Sequence, residues 1–571
     1  MRQPWLSKRG VALVAALLAG GAGCMFTAPL DDLPTEHSPA LGGSGDGGTG
    51  DGGTGDGGEG LLPDFADGGT GGASLPDGEC QTNADCAKGA AGELYRCRPS
   101  DHTCQALKTG ECPLAAGDAA DPNAIFFGSF ANLSTVVPKD NAIVQAQLLA
   151  LDDFSGQNVG GLPAEGAGPR RPLVLLVCNN SDDAVEAGLK HLIQDVEVPG
   201  ILATLKPADL RRGFEKYAGH EVFFLSPVSV TKTVVTENDE GLIWNMLGQP
   251  ADFLPAYVKL LQHIEDFVRA SSDYDVAAGE PIRVALITTQ EAFDSELEDV
   301  VAPLLTFNGQ FTSVNESQGN YRGVEVPSEG ADLAEIADKV VSFRPHIVVS
   351  MASGVMTQPV DGLIARIESN WELEVQALPM YLLSPYNSGD LSSVQDLIKG
   401  SWDNAVEPYP ERRFVGLAVA GAEDSSLQND YAVRLRNKFP DAYADTANYY
   451  DAFYFLSYAT YAAGVDEPLT GKRIASGMQR LLAGDPFQPV PQQLSDVFAV
   501  LSDPKATIQL ESTLGPPGFD PVTGNRPIDA SVLCFDRTGD KVTLARDVRR
   551  FDRALGKFRG SGAFCSSHLV P

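Results

Sequence analysis

An α/β fold built on parallel sheets is what this 571-residue sequence predicts, and three observations carry the prediction. The first is a set of short runs that are apolar at nearly every position: residues 173–177 (LVLLV), 222–225 (VFFL), 284–287 (VALI) and 347–349 (IVV). Strands without polar alternation are buried on both faces, as in parallel sheets. The second is the stretches of helical spacing between them, over 184–195, 253–270, 295–305 and 331–343, which is the order of strands joined by crossover helices. The third is that neither pattern occurs before about residue 121, so segments of another kind precede the α/β body.

Composition supports a large packed body. Apolar residues are 43% and charged residues 21%, near the globular average. The formal net charge of −34 excludes a phosphate-backbone binder, since such proteins concentrate Lys and Arg on one face and this chain is short of both.

The N-terminus sets the compartment. Arg2, Lys8 and Arg9 precede an apolar run at 11–19, and small residues at 20–23 lead to Cys24. This is the three-part shape of a secretory signal, and its apolar run is too short to span a bilayer. A cysteine directly after the small residues resembles a bacterial lipobox, which implies that Cys24 is acylated and becomes the first mature residue. Gly21 stands where a lipobox prefers Leu, and the other reading is an ordinary cleaved signal that leaves Cys24 a thiol. Acylation would hold the protein in the cell envelope as a membrane-anchored lipoprotein facing the periplasm or the cell surface.

Residues 25–79 form a Gly/Asp-rich linker. The Gly-Asp-Gly-Gly-Thr units within 42–60 cannot bury a core, and about 55 flexible residues reach on the order of 40 Å. A calcium β-roll would need a regular apolar position that these repeats lack. Residues 80–112 read as a small disulfide-rich module, because Cys80, Cys86, Cys97, Cys104 and Cys112 are separated by Asp, Asn, Gly and Pro rather than by large apolar residues. No Cys-x-x-Cys pair points to zinc. Setting Cys24 aside leaves an even number of cysteines. The first four are expected to pair among themselves in a connectivity that spacing leaves open, Cys112 with Cys178 at adjacent strand ends, and Cys534 with Cys565.

From 121 to 571 the segments resemble, in order, a known family. Gly128-Ser129-Phe130, Leu149-Ala150-Leu151-Asp152-Asp153, Gly160-Gly161-Leu162, Cys178-Asn179-Asn180-Ser181 and Val198-Pro199-Gly200-Ile201 come first. Ser226-Pro227, Arg283 to Ile287, Arg344 to Val349, Tyr450-Asp451-Ala452 and Gly515 to Asp520 follow. Together they resemble the type 1 periplasmic solute-binding proteins, and most of all the branched-chain amino-acid (Leu/Ile/Val) receptors of ABC transporters. The resemblance implies two interleaved, doubly wound (Rossmann-like) lobes that form a clamshell and close on a small solute. By analogy the first lobe would hold about 121–270 with much of 414–484, and the second about 281–410.

The resemblance also implies ligand contacts. Thr204 takes the place of a hydroxyl that binds a carboxylate at a helix start. After Ser226 the family's small residue and threonine fall on Val228 and Val230, so a hydroxyl is lost there unless Ser229 or Thr231 takes its place. The second lobe would contribute from around Ser353 and Tyr386, where the family's aromatic residue and its acid are not found in this sequence. For each of these loop residues the structural alternative is capping or loop packing. Seven histidines, His37, His102, His191, His220, His263, His346 and His568, show no metal-ligand spacing, and no nucleophile elbow, Walker loop or dinucleotide fingerprint opens a helix. The acidic stretches 237–240 and 291–299 read as solvated faces or helix starts. The sequence therefore predicts a lipid-anchored receptor, not an enzyme, that needs no cofactor or metal. It takes a small polar ligand, amino-acid-like ligands included, for an ABC permease, or serves as a ligand sensor or surface interaction module on the same fold.

Overall fold

The computed structural model describes residues 80–86, 94–133, 136–156, 159–164, 168–228, 239–274, 276–289, 299–327, 332–351, 356, 362–373, 376–384, 391–403, 410–422, 426–442, 445–465, 468–538, 541–553 and 555–559. The signal with Cys24, the linker, Ser229, Val230, Thr231, Ser353, Tyr386 and Cys565 lie outside them.

Two bridges make the interior of the cysteine module. Cys80–Cys97 and Cys86–Cys104 tie the short helix α1 (Asn83–Cys86) to a hairpin of β1 (Tyr95–Cys97) and β2 (Cys104–Ala106). These four cysteines and Tyr95 are its buried cluster, so disulfides replace the apolar core that so short a segment cannot build. A third bridge, Cys112–Cys178, joins the module's exit to the first sheet. There β3 (Leu114–Ala116) pairs antiparallel with the strand Leu173–Asn179 of that sheet, and Asn179 N donates to Glu111 O at 2.7 Å.

The first sheet contains β4 (Ile125–Ala131), β5 (Leu173–Asn179), β6 (Gly200–Leu202), β7 (Phe223–Ser226) and β8 (Ile243–Asn245), parallel and ordered β5-β4-β6-β7-β8 with β3 on the edge. Helices α2 (Ala142–Ser155), α3 (Val185–Lys190) and α4 (Pro207–Tyr217) are its crossovers. Asn141 starts α2 by accepting from Ile143 N and Val144 N with its side-chain oxygen. Gly161 has φ +102°, and a Cβ there would meet Arg171 O at 2.2 Å, so the turn between α2 and β5 requires glycine.

The second sheet repeats the order. Its strands are β9 (Val284–Thr289), β12 (Tyr321–Val326), β13 (Ile347–Ser350), β14 (Met380–Leu383) and β15 (Phe414–Val419), with a small hairpin of β10 (Thr306–Phe307) and β11 (Gln310–Phe311) between the first two. They run parallel as β12-β9-β13-β14-β15, and β18 (Ala530–Thr538), β19 (Lys541–Asp552) and β20 (Lys557–Arg559) extend the sheet antiparallel. In both sheets the parallel strands follow the sequence order second, first, third, fourth, fifth, which is the flavodoxin-like doubly wound arrangement.

Two lobe assignments differ from expectation. Helix α5 (Pro250–Ala270) buries Phe253, Tyr257, Leu260, Leu261, Ile264 and Val268 against Val284 and Leu286, so it belongs to the second lobe. Strand β15 also lies in the second sheet, paired with β14. The first lobe is instead completed by α9 (Ser426–Lys438), α10 (Ala447–Ala462), α11 (Gly471–Gln479) and α12 (Leu494–Leu501), whose Tyr431, Phe453, Ile474 and Leu494 join the cluster of Phe127 and Leu175. Helices α6 (Leu333–Phe343), α7 (Leu363–Ser369) and α8 (Leu391–Asp403) cover the other face of the second sheet. The reason is geometric: each sheet is apolar on both faces, and the helices that follow β8 and β15 cover whichever face is still bare.

The chain passes between the lobes after β8, after β15, and a last time after the pair β16 (Asp485–Phe487) and β17 (Ile508–Leu510). This last crossing is seated on β8. Asn245 N donates to Gly524 O at 2.9 Å, Arg526 N to Asn245 O at 3.0 Å, and the Asn245 amide to Asn525 Oδ1 at 3.0 Å.

Cys534 is disulfide-bonded, and its expected partner Cys565 falls outside the described residues. The bridge whose two ends are both described offers the cleaner test. Cys112–Cys178 closes 66 residues of sequence, so replacing both cysteines by Ser is expected to lower stability by about 2–4 kcal/mol, read from guanidinium unfolding. Unfolding curves that coincide with the parent would show that the bridge constrains nothing.

Candidate functional site

In an open parallel sheet the neighbouring crossovers diverge where the strand order reverses, leaving a crevice beyond the strands' carboxyl ends. Here those points fall between β4 and β6 in the first lobe and between β9 and β13 in the second.

At the first, the loop after β5 is tied to its neighbours. Asn179 Oδ1 accepts from Leu133 N at 3.0 Å, Asn180 N donates to Ala131 O at 3.0 Å, and the Asn180 amide donates to Thr204 O at 3.1 Å. Thr204 is 7% exposed and its Oγ1 has no hydrogen-bond partner. The expected helix start is displaced: α4 begins at Pro207 after Lys206, and Thr204 lies in the loop ahead of it. Ser226 is fully buried and donates from Oγ to Val228 O at 3.0 Å, so it braces its own loop, with Val228 half-buried beside it. Asn448, at the start of α10, holds the same loop from the other side by donating to Pro227 O at 2.7 Å.

At the second point, Thr288 near the end of β9 is 1% exposed, and its Oγ1 also lacks a partner. Sequence reading passed over it. The signal was a pair of threonines directly after the apolar run 284–287. Each lobe thus carries a buried, unsatisfied hydroxyl at its crevice. Such a group costs about 1–3 kcal/mol until it is paired.

Among the helices over the first sheet lies a buried polar cluster. Asp153 of α2 accepts from Tyr450 and Tyr454 at 2.8 Å each and pairs with Arg434, whose guanidinium also donates to Tyr450 at 2.7 Å. Burial pushes the Asp153 carboxyl up, while Arg434 and the two phenols pull it down. The cluster clamps α2 to α9 and α10. It contains no nucleophile beside a base.

Two buried histidines have structural duties. His191 Nε2 lies 3.2 Å from Leu107 O, and His346 Nδ1 accepts from Arg283 N at 2.9 Å. Burial and Arg283 hold His346 down at about 4, so it is neutral in ordinary buffers. Among the described residues, the one group of three potential metal-binding side chains is Cys80, Cys86 and Cys97, all committed to disulfides. A cavity of about 240 Å³ lies away from both crevices, at the amino ends of the first sheet's strands, between Arg96 of the module and Phe126, Pro199, His220 and Gly471. Its volume is below the usual range for ligand pockets, about 300–1,000 Å³, and none of the unpaired hydroxyls lines it.

If the two hydroxyls are unpaired in the ligand-free protein, Thr204→Val and Thr288→Val should leave the unfolding free energy unchanged or raise it by up to about 1–2 kcal/mol, because each removes a buried donor without changing shape. A loss of similar size in chemical denaturation would mean that the hydroxyls are bonded in solution.

No family model matches the sequence, and no curated protein matches it. Among solved structures, an ABC transporter substrate-binding protein from Desulfitobacterium hafniense in complex with Leu is similar at 12% identity and TM-score 0.47, over 74% of this chain and 100% of that one. A solute-binding protein of an ABC transporter from Rhodopseudomonas palustris HaA2, in complex with p-hydroxybenzoic acid, is similar at 10% identity and TM-score 0.49, over 75% and 97%. A branched-chain amino acid transporter substrate-binding protein from Streptococcus pneumoniae, in complex with isoleucine, is similar at 10% identity and TM-score 0.48, over 74% and 100%. No residue's role follows from these similarities.

Proposed function

We propose that this protein is an extracytoplasmic solute-binding receptor, anchored through an acylated Cys24, whose two lobes close on a small polar ligand for an ABC-type permease. The observation that supports this most is the pair of unsatisfied hydroxyls, Thr204 and Thr288, one at the strand-order reversal of each lobe. A ligand bridging the crevices would satisfy groups that the protein leaves unpaired, and it would favour the closed form because only that form touches it from both sides. Ser229, Val230, Thr231, Ser353 and Tyr386 stand in this reading as further ligand contacts. Amino-acid-like and aromatic carboxylate solutes, the ligands named for the structurally similar proteins, are the classes to try first.

A second reading, a sensor or surface interaction module, is favoured by one observation. The cysteine module is fixed to the first lobe: Arg96 donates to Glu197 O at 3.2 Å, Asn83 to Asp121 O at 3.0 Å, and Glu197 accepts from Ser100 N at 3.2 Å. It therefore presents a rigid additional surface, which delivery of a solute does not require.

Native mass spectrometry of the protein purified from its source should reveal a co-purifying small molecule. Adding that molecule to the stripped protein should reduce the radius of gyration and raise the melting temperature. Thr204→Val should fold normally and weaken binding about two-fold to a hundred-fold. Ligand binding without compaction would sink the clamshell reading, and membrane association that survives Cys24→Ala would sink the anchor.

A further inference from the structure

The last crossing between the lobes, residues 511–529, covers two opposite charges that are each only partly hydrogen-bonded. Asp451 of α10 is 0% exposed; its Oδ2 accepts from Thr513 N at 2.9 Å and from Thr513 Oγ1 at 2.5 Å, and its Oδ1 accepts from nothing. Arg526, within the crossing, is 3% exposed; its Nη2 donates to Gly515 O at 3.0 Å and Pro516 O at 2.7 Å, and its Nη1 donates to nothing. Each acts on the other's charge, yet no bond joins them. Two buried charges left apart cost more than the same charges paired, so the arrangement is stable only while the fold holds them there.

The crossing is one of the three passages of chain that must turn if the lobes move, since it runs from β17 of the first lobe to β18 of the second. Gly524 within it has φ +64°, and a Cβ there would lie 2.3 Å from Ile243 O, so this backbone is pressed against β8 at a residue that glycine alone can fill. We propose that Asp451 and Arg526 form a hinge latch, apart in the lobe arrangement described here and paired when the crossing shifts on closure, so that ionised Asp451 favours the closed form. This rests on the reading of the protein as a closing clamshell.

Protons then act as an opposing ligand. Burial pushes the Asp451 carboxyl up to about 7, against the bonds from Thr513 and the field of Arg526. Among the described residues, the other charged or titratable groups facing this pair are Glu511 and Arg550, which act on Arg526, and Tyr431 of α9, which donates toward or accepts from Thr446 at 2.8 Å. Tyr450 and Tyr454 on the same helix bond to Asp153 instead. Pairing with Arg526 lowers the Asp451 pKa in the closed form, so by reciprocity each unit of that drop multiplies the closed-to-open ratio tenfold once the carboxyl is ionised. The sign follows: with Asp451 protonated in both forms the latch contributes nothing, its effect grows as pH rises toward about 7, and it is complete above that.

The test uses the full chain without any ligand, in solution scattering at about pH 5 and about pH 8.5. The wild-type radius of gyration should be smaller at the higher pH, and Asp451→Asn and Arg526→Gln should each abolish the difference. A wild-type radius equal at both pH values overturns the latch, as does compaction that persists in Asp451→Asn. Should neither variant fold, hydrogen exchange in the wild type decides. Corrected for intrinsic pH dependence, protection of 511–529 should rise about tenfold or more across the same range, and equal protection overturns the proposal. Solute binding with pH-independent compaction refutes the latch alone. Compaction with pH in a protein that never binds a solute supports the latch and leaves the receptor reading to fail by itself.

Discussion

Strands that are apolar on both sides must be covered on both sides, and most of this structure follows from that requirement. In β4, Phe127 and Ala131 point into one core, and Phe126 and Phe130 into another. In β9, Val284 and Leu286 serve one cluster, and Ala285 and Ile287 the other. A single-sided sheet would have let each lobe end with its last strand. Here α5 must cross to finish the second lobe, and α9 to α12 must return to finish the first, so the two lobes are interleaved and linked by several passes of chain. With both faces closed, each sheet leaves its strand ends for polar side chains, and Thr204 and Thr288 sit there.

The interior is not wholly apolar, and its polar contacts fall where elements distant in sequence must be held in register. Asp153 and Arg434 are 281 residues apart, and Asn245 and Asn525 are 280 apart. The first contact fixes helices over the first sheet, and the second seats the last crossing on β8. Asp451 and Thr513 do the same for the crossing's other end, at the cost of leaving one carboxylate oxygen unpaired. Well-satisfied contacts such as those to Asp153 make rigid joints, whereas a partly satisfied group such as Asp451 carries the cost of its unpaired oxygen.

The cysteine module extends the first lobe. Its own interior is disulfide, but its outer contacts, from Arg96 to Val196 O and Glu197 O and between His191 Nε2 and the module's Leu107 O, are hydrogen bonds to the segment around the π-helical turn His191–Asp195, and Cys112–Cys178 secures its exit. The module thus travels with the first lobe in any hinge motion, and the surface it adds moves as part of that lobe.

The sequence alone determined the α/β class and the buried parallel strands at 173–177, 222–225, 284–287 and 347–349, because each is written in local apolar pattern; it offered Cys112 with Cys178 as a pair at adjacent strand ends, and the structure made the bridge. Thr204 was also legible as a hydroxyl near a strand end, although the helix it was expected to start begins later, at Pro207. Only the tertiary structure decided which lobe owns α5 and β15, since an amphipathic helix shows that it has a core to cover but not whose core it is. Thr288 emerged as the counterpart of Thr204 only when the two sheets proved to share one strand order. The pair of Asp451 and Arg526 was invisible for the same physical reason: burial and the lack of a partner belong to the three-dimensional surroundings of a side chain, and 75 residues of sequence between two charges say nothing about whether they meet.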